Sequence, residues 1–203
     1  KQVFRKPLET VWSETVSYYV DVLKDQAKIE QALPGLFGVV GEPEELQMFD
    51  FLQGIKFFER LRMKELVKFI PTMHHRKYTR DEVVFFSKDP SQALYLVKRG
   101  QVNLTIDIRD NFETIMEINR GEAFGENSLL ENAKRTYTAI ITSDEAELIV
   151  IPHFALQEIF DSNPKIKAKM MTSLAEYYNL NNQRLFRSYR ESFGFFSLRQ
   201  MFE

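Results

Sequence analysis

The stretch that decides the fold is Phe124–Thr136, which reads FGENSLLENAKRT. A glycine, Gly125, is followed at once by a carboxylate, Glu126, and an arginine, Arg135, comes nine residues after that carboxylate. Glycine lets the main chain approach a ligand closely, and the first N–H groups of a helical turn point at negative charge. The guanidinium of arginine offers a planar fork of donors to phosphate oxygens. The stretch therefore indicates a site for a small anionic ligand.

The carboxylate of Glu126 narrows the choice of ligand. A carboxylate repels a phosphate unless it accepts hydrogen bonds, and a sugar hydroxyl supplies such a bond. An anion site with one carboxylate therefore suggests a sugar phosphate, whose base is left for an apolar wall. The alternative is a turn glycine beside a solvated carboxylate, with Arg135 in a surface ion pair to Glu126 or Glu131 that contributes little.

The same stretch resembles the phosphate-binding cassette of cyclic nucleotide-binding domains. That family includes the catabolite activator proteins, the regulatory subunits of protein kinase A and the cyclic nucleotide-gated channels. Three further segments resemble the family in the right order: a strand, turn glycine and next strand at 94–102, the turn before the cassette at 118–123, and the closing strand at 147–152. The resemblance covers residues 52–185.

The resemblance implies a fold, a ligand and a set of contacts. The fold is α+β and mainly β: an eight-stranded antiparallel β-roll (a double-stranded β-helix), flanked by N-terminal helices and a long C-terminal helix. The ligand is cAMP or cGMP, with no other cofactor. The implied ligand-binding residues are Gly125, Glu126, Asn127, Ser128, Arg135 and Thr136 in the cassette, and Met116 and Ile118 in the wall behind the base. Thr136 permits cGMP without indicating it, and a role as a strand former is equally open.

This sequence departs from the family pattern at four positions. Asn127 stands where a branched aliphatic residue is usual, and Asp81 and Lys88 stand in turns where the family often has glycine. Tyr137 replaces a small residue. Strand alternation places Tyr137 opposite Thr136, so we expect its side chain to point outward.

Local patterns agree with this fold. Apolar spacing predicts helices at residues 8–33, 43–53 and 62–69, the last ending before Pro71. Six short β-branched or aromatic segments predict strands: Val83–Phe86, Leu94–Val97, Val102–Ile108, Thr114–Ile118, Thr136–Thr142 and Leu148–Ile151. The expected domains are an N-terminal helical extension at 1–50, the ligand-binding domain at 51–190 and an aromatic tail at 191–203.

A long helix is predicted to begin at Asn163 and Pro164. Its apolar seam follows an approximate heptad: Ile166, Met170, Leu174, Tyr177, Asn181, Leu185 and Ser188. By resemblance, this helix packs against its copy in a homodimer and lowers Tyr178, Asn181 or Asn182 over the base. The alternative is an ordinary stripe for packing within one chain.

Composition and spacing exclude several classes of function. Basic and acidic residues nearly balance, 27 against 29, and too few residues follow Ser188 for a helix-turn-helix, so no nucleic-acid partner is expected. No apolar run approaches the ~20 residues of a membrane helix. The chain has no cysteine and only three histidines, and no triad or His-x-His motif is visible, so no catalytic and no metal site is expected. A cytoplasmic location is expected.

The sequence thus predicts a non-catalytic cyclic-nucleotide sensor in which binding moves the C-terminal helix. The alternative is a β-roll that has lost its ligand and serves as a dimerisation or docking scaffold.

Overall fold

The computed structural model describes residues 43–108 and 111–192. The chain divides into a unit of residues 1–48 and a unit of residues 49–203, and all eight strands described below lie in the second unit. The predicted helix at 8–33 and the aromatic tail lie outside the described residues. The proposed limits of the three domains stay predictions.

Two helices precede the strands. Helix α1 spans Pro43–Gln53, as predicted, and α2 spans only Met63–Leu66, followed by a 3₁₀ turn at Ile70–Thr72. The predicted helix at 62–69 is therefore too long. Pro71 disfavours α-helical geometry at the residue before it, and the chain tightens into i→i+3 bonds, including one from Thr72 N–H to the Phe69 carbonyl at 2.9 Å.

Eight strands form two four-stranded antiparallel sheets, which confirms the predicted β-roll. The first sheet has the order β1-β8-β3-β6 and the second the order β2-β7-β4-β5. The strands are β1 His74–Thr79, β2 Val83–Phe85, β3 Ala93–Arg99, β4 Val102–Ile108, β5 Asn111–Ile118, β6 Ala123–Phe124, β7 Thr138–Ile141 and β8 Glu145–Pro152.

Strands β1 and β6 were not predicted individually from the sequence pattern, for two different reasons. Strand β1 lies at the edge of its sheet, paired only with β8, and five of its six residues are exposed. Polar side chains on an edge strand give no alternating apolar pattern. Strand β6 has two residues, which is too short for any periodicity.

The core of the roll lies between the two sheets. Its most buried members come from strands of both sheets: Val97, Val102, Leu104, Phe124, Ala139, Ile141 and Leu148. Burying an aliphatic or aromatic side chain of this size contributes about 1.5–3 kcal/mol. This packing holds the β6–β7 connection, where the cassette lies, against β3.

Two helices follow the roll: α3, His153–Ser162, and α4, Pro164–Ser192. The first half of the predicted seam is buried within the chain, at Ile166, Met170 and Leu174. Three ion pairs also connect α4 to the segment before β1. Lys169 pairs with Glu65 at 2.5 Å, and Glu176 pairs with Lys56 at 2.9 Å and with Arg60. Within the part of the chain that the structure covers, no helix is both long enough and apolar enough to cross a bilayer.

Two glycines in turns of the roll form a matched pair for a test by substitution. Gly100 (φ +92°) and Gly121 (φ +85°) both have left-handed main chains. A Cβ at Gly100 would lie 2.6 Å from the Glu145 carbonyl oxygen, whereas a Cβ at Gly121 would meet nothing within 4 Å. Gly121→Ala should therefore cost only the left-handed strain, about 1–2 kcal/mol. Gly100→Ala should cost about 1–3 kcal/mol more because of overpacking.

Urea unfolding of the two variants measures this difference. Equal losses of stability in both would contradict the predicted role of the space beside Gly100.

Candidate functional site

The site begins at Gly125, between β6 and a 3₁₀ turn at Glu126–Leu129. Gly125 has φ 76° and ψ 27°, the left-handed conformation that favours glycine. A Cβ here would lie 2.5 Å from Arg135 Nη1 and 3.0 Å from the Ala93 carbonyl oxygen. The glycine is therefore required by both conformation and space. The expected helical turn is only four residues long, so its dipole adds little to anion binding.

Arg135 is buried beside Gly125, with 3% of its surface exposed. Its Nη1 donates to the Gly125 carbonyl at 2.9 Å, and its Nη2 donates to the Ala93 carbonyl at 2.7 Å. The guanidinium carbon lies 4.0 Å from the centre of the Phe85 ring, within the range of a cation–π contact. Burial lowers the pKa of Arg135 from its usual value. The structure thus brings Arg135 and Gly125 together, as predicted, with two donors bound to main-chain carbonyls.

Glu126 is also buried, with 4% exposed, and its partner is a tyrosine. The Tyr137 hydroxyl donates to Glu126 Oε2 at 2.7 Å and accepts the N–H of Gly125 at 2.8 Å. The expectation that Tyr137 points outward is therefore wrong, since 6% of it is exposed. The inward–outward alternation of side chains has to be counted from Arg135 and not from Thr136. Arg135 points inward, Thr136 is exposed, and Tyr137 points inward again.

The Tyr137 ring belongs to an aromatic cluster inside the roll. Its centroid lies 5.7 Å from that of Phe85, which in turn lies 5.6 Å from Tyr95 and 5.9 Å from Phe124. Burial and the nearby Glu126 carboxylate raise the pKa of Tyr137 well above its ordinary value. The phenol is therefore neutral and fully hydrogen-bonded at physiological pH.

The other predicted cassette residues differ in their surroundings. Thr136 is exposed, Asn127 is half-buried and Ser128 is fully buried. Asn127 Oδ1 and Ser128 Oγ are buried atoms without a hydrogen-bond partner among the described residues. Arg135 Nε and Asn181 Oδ1 share this property.

The predicted base wall lies on β5. Ile118 is buried and Met116 is half-buried, and both face the core cluster. Tyr177 of helix α4 reaches this wall, because its hydroxyl lies 3.9 Å from Met116 Sδ. Tyr177 also packs edge-on against Phe57, with ring centroids 5.4 Å apart. A residue of α4 therefore already lies against the wall, and it is Tyr177 of the seam.

A cleft of about 330 Å³ reaches the site from the side of β2 and the β2–β3 connection. It is lined by Val83, Val84, Phe85, Phe86, Asp89, Pro90, Gln92, Tyr95 and Arg135. Across residues 43–108 and 111–192, no three His, Cys, Asp or Glu side chains group as metal ligands would.

Sequence reasoning missed three residues of the site: Tyr137, Phe85 and Tyr177. The sequence contained a signal for two of the three residues. Counting alternation from the buried arginine finds Tyr137, and Tyr177 was in the predicted seam of α4. Phe85 gave no local signal, because its contact with Arg135 joins residues 50 positions apart.

Comparison with known proteins agrees with this geometry. Residues 75–163 match the sequence profile of the cyclic nucleotide-binding domain family. The chain is 30% identical over 103 residues to a cAMP-dependent protein kinase regulatory subunit of Mycosarcoma maydis, and 31% identical over 101 residues to the cyclic AMP receptor protein of Thermus thermophilus. These matches cover 50% and 49% of this chain but only 20% and 46% of the relatives. The chain thus spans less than half the length of both relatives.

Solved structures give the same result. The catabolite activator protein of Thermus thermophilus superposes with a TM-score of 0.57 at 26% identity, covering 67% of this chain and 64% of that one. The regulatory domain of Toxoplasma gondii PKA with cAMP superposes with a TM-score of 0.54 at 26% identity, covering 58% and 45%.

The contacts of Arg135 predict that it supports the fold. Arg135→Ala removes the side-chain donor to the buried Ala93 carbonyl, at about 1–3 kcal/mol, and one of the two donors to the Gly125 carbonyl, which keeps the Ser128 N–H. It also removes the contact with Phe85. We therefore expect a loss of about 2–5 kcal/mol in the free energy of unfolding.

Denaturant unfolding measures this loss, with Arg120→Ala, an exposed turn residue, as the matched control. Arg135→Lys should fall between the two, because a single ammonium reproduces only part of the fork. A wild-type stability for Arg135→Ala would contradict a structural role.

Proposed function

We propose that this chain is a non-catalytic sensor of cAMP or cGMP, because residues 75–163 match the cyclic nucleotide-binding domain family and the chain is similar to a protein kinase A regulatory subunit and to a cyclic AMP receptor protein. One observation carries the proposal. A buried cation, Arg135, and a buried carboxylate, Glu126, both lie next to the left-handed Gly125. A cyclic phosphate and a ribose hydroxyl require this pair of opposite charges at close range.

In the proposed mechanism, the ligand replaces the present hydrogen-bond partners of the cassette residues. The phosphate takes donors of Arg135 that now bind neutral main-chain carbonyls, and it takes the Gly125 N–H that Tyr137 now accepts. The ribose 2′-hydroxyl takes the place of the Tyr137 hydroxyl on Glu126. A phosphate offers the guanidinium a charged acceptor and bidentate geometry, which separate neutral carbonyls do not, and this difference favours the ligand.

The contact between the base of the ligand and α4 produces the conformational change of the sensor. It lies against Met116 and Ile118, in the space that Tyr177 of α4 now shares with Met116. A ligand shifts a conformational equilibrium only if it contacts the two states differently, and the contact between base and α4 provides that difference. The ion pairs of Glu176 and Lys169 with residues 56–65 connect any movement of α4 to the helical segment before the roll.

A second candidate function is a ligand-free scaffold. It is favoured by one observation: the groups that would hold the ligand already bind the protein itself, through Tyr137, Ala93 and Gly125. In that case the roll and α4 serve assembly alone.

In both cases we propose that α4 pairs with a second copy of the chain. The second half of α4 exposes Leu180 and Phe186, with 46% and 50% of their surfaces accessible. Pairing with a second copy would remove the apolar surface of these two side chains from water.

Nucleotide binding tests the sensor. Calorimetry and thermal melting with cAMP, cGMP and the linear 5′-monophosphates should give heat and a raised melting temperature with a cyclic nucleotide only. The 2′-deoxy analogue of the bound nucleotide should bind about 10- to 100-fold more weakly, because it lacks the hydroxyl for Glu126.

Absence of heat with either cyclic nucleotide at millimolar concentration would favour the scaffold. Equal affinity for the 2′-deoxy analogue would mean that Glu126 does not contact the sugar.

Light scattering after gel filtration tests the pairing of α4. Leu180→Glu and Phe186→Glu should each convert a dimer to a monomer, because they bury a charge at the interface. Phe154→Glu is the matched control on α3, where 72% of the side chain is exposed, and should leave the mass unchanged. An unchanged mass in all three variants would exclude this part of α4 as the interface.

A further inference from the structure

We propose that Tyr137 is the residue that sets the affinity of the cassette, because its phenol holds the position of the ligand's sugar hydroxyl and must leave before a cyclic nucleotide enters. This inference rests on the proposed function and adds that the chain itself competes with the ligand for Glu126. The competitor is a side chain of the cassette itself.

The hydroxyl of Tyr137 uses both of its hydrogen-bonding capacities on cassette groups. It donates to Glu126 Oε2 at 2.7 Å and accepts the Gly125 N–H at 2.8 Å. A sugar hydroxyl has the same capacities, one donor and lone pairs that accept. Tyr137 therefore reproduces, from within the chain, the contacts that a ribose would make with this carboxylate.

The two occupants exclude each other. The Gly125 N–H has one hydrogen and cannot donate fully to both the phenol and a phosphate, and Glu126 is only 4% exposed while the phenol is in place, which leaves little room for a second hydroxyl at its carboxylate. The Tyr137 ring adds to the exclusion, because it fills space next to Phe85 and is almost completely buried. A ligand that engages Glu126 must therefore displace the phenol rather than bind beside it.

Displacement is compatible with the fold. Strand β7 begins at Thr138, and the hydrogen-bonded register with β4 begins at the same residue. Tyr137 lies just before this ladder, so its side chain can turn away without breaking the sheet. The apparent dissociation constant is then the intrinsic one divided by the fraction of molecules in which the phenol has left. Two hydrogen bonds, one of them to a carboxylate, make that fraction small and weaken binding by about 10- to 100-fold.

The test compares calorimetric dissociation constants for cAMP and cGMP in the wild type and in variants at this position. Tyr137→Ala and Tyr137→Val should bind at least tenfold more tightly than the wild type. Tyr137→Phe keeps the ring but frees Glu126 and Gly125, so its affinity should lie between. Tyr78→Ala is the matched control, because Tyr78 packs against the same core and makes no contact with the cassette among the hydrogen bonds described. Its affinity should stay within about twofold of the wild type.

Each result decides the question. Tight binding by the wild type with no gain in the variants overturns the inference and leaves the sensor intact. Binding by the truncated variants alone supports Tyr137 as the occupant and shows that the native chain is not a sensor at the ligand concentrations used. Failure of all folded variants to bind overturns both proposals. Circular dichroism verifies folding, and if both truncations unfold, an affinity of Tyr137→Phe below that of the wild type overturns the inference.

Discussion

The structure of the site depends on one buried cation. The guanidinium of Arg135 lies inside the roll, and a charge in that position must be compensated or the fold pays for its desolvation. Two carbonyl oxygens and an aromatic ring provide the compensation, from Gly125, Ala93 and Phe85. Because these partners come from the cassette, β3 and β2, one side chain joins three parts of the roll. The shape of the unliganded cassette therefore depends on contacts within the chain.

The same constraint explains why the site holds a tyrosine. Glu126 is as deeply buried as Arg135, and its carboxylate needs a donor. Arg135 spends its two terminal nitrogens on main-chain carbonyls, so the Tyr137 hydroxyl supplies the donor instead. A small residue at position 137 would leave Glu126 without that bond in the absence of a ligand. In the proposed sensor, the tyrosine thus stabilises the unliganded roll at the expense of ligand affinity, because phenol and ligand compete for one carboxylate.

The sequence was sufficient for the architecture and for the grouping of Gly125, Glu126 and Arg135, but not for the contacts of Tyr137, Phe85 and Tyr177. Local periodicity identified β4 with its observed bounds, Val102–Ile108, and the cassette motif placed Gly125, Glu126 and Arg135 together. Prediction from the sequence failed where a strand consists of polar residues or where a contact joins residues far apart in the chain. Edge strand β1 lacks an apolar pattern, and the contact between Phe85 and Arg135 has no local signature. The orientation of Tyr137 was within reach, since alternation from a buried arginine gives it directly. The family pattern of a small residue there obscured it.

Glu126 also connects the two ends of the proposed ligand site. Beyond the bond to Tyr137, its charge acts on α4: burial first, and the Glu126 carboxylate second, raise the pKa of both Tyr177 and Tyr178. The carboxylate therefore lies close enough to α4 for its surroundings to affect that helix. In the proposed sensor, a ribose hydroxyl would replace the Tyr137 phenol as the hydrogen-bond donor to Glu126, while Tyr177 of α4 already contacts Met116 of the predicted base wall. Sensor and scaffold then share one geometry, and they differ only in whether a ligand can take the place of a single phenol.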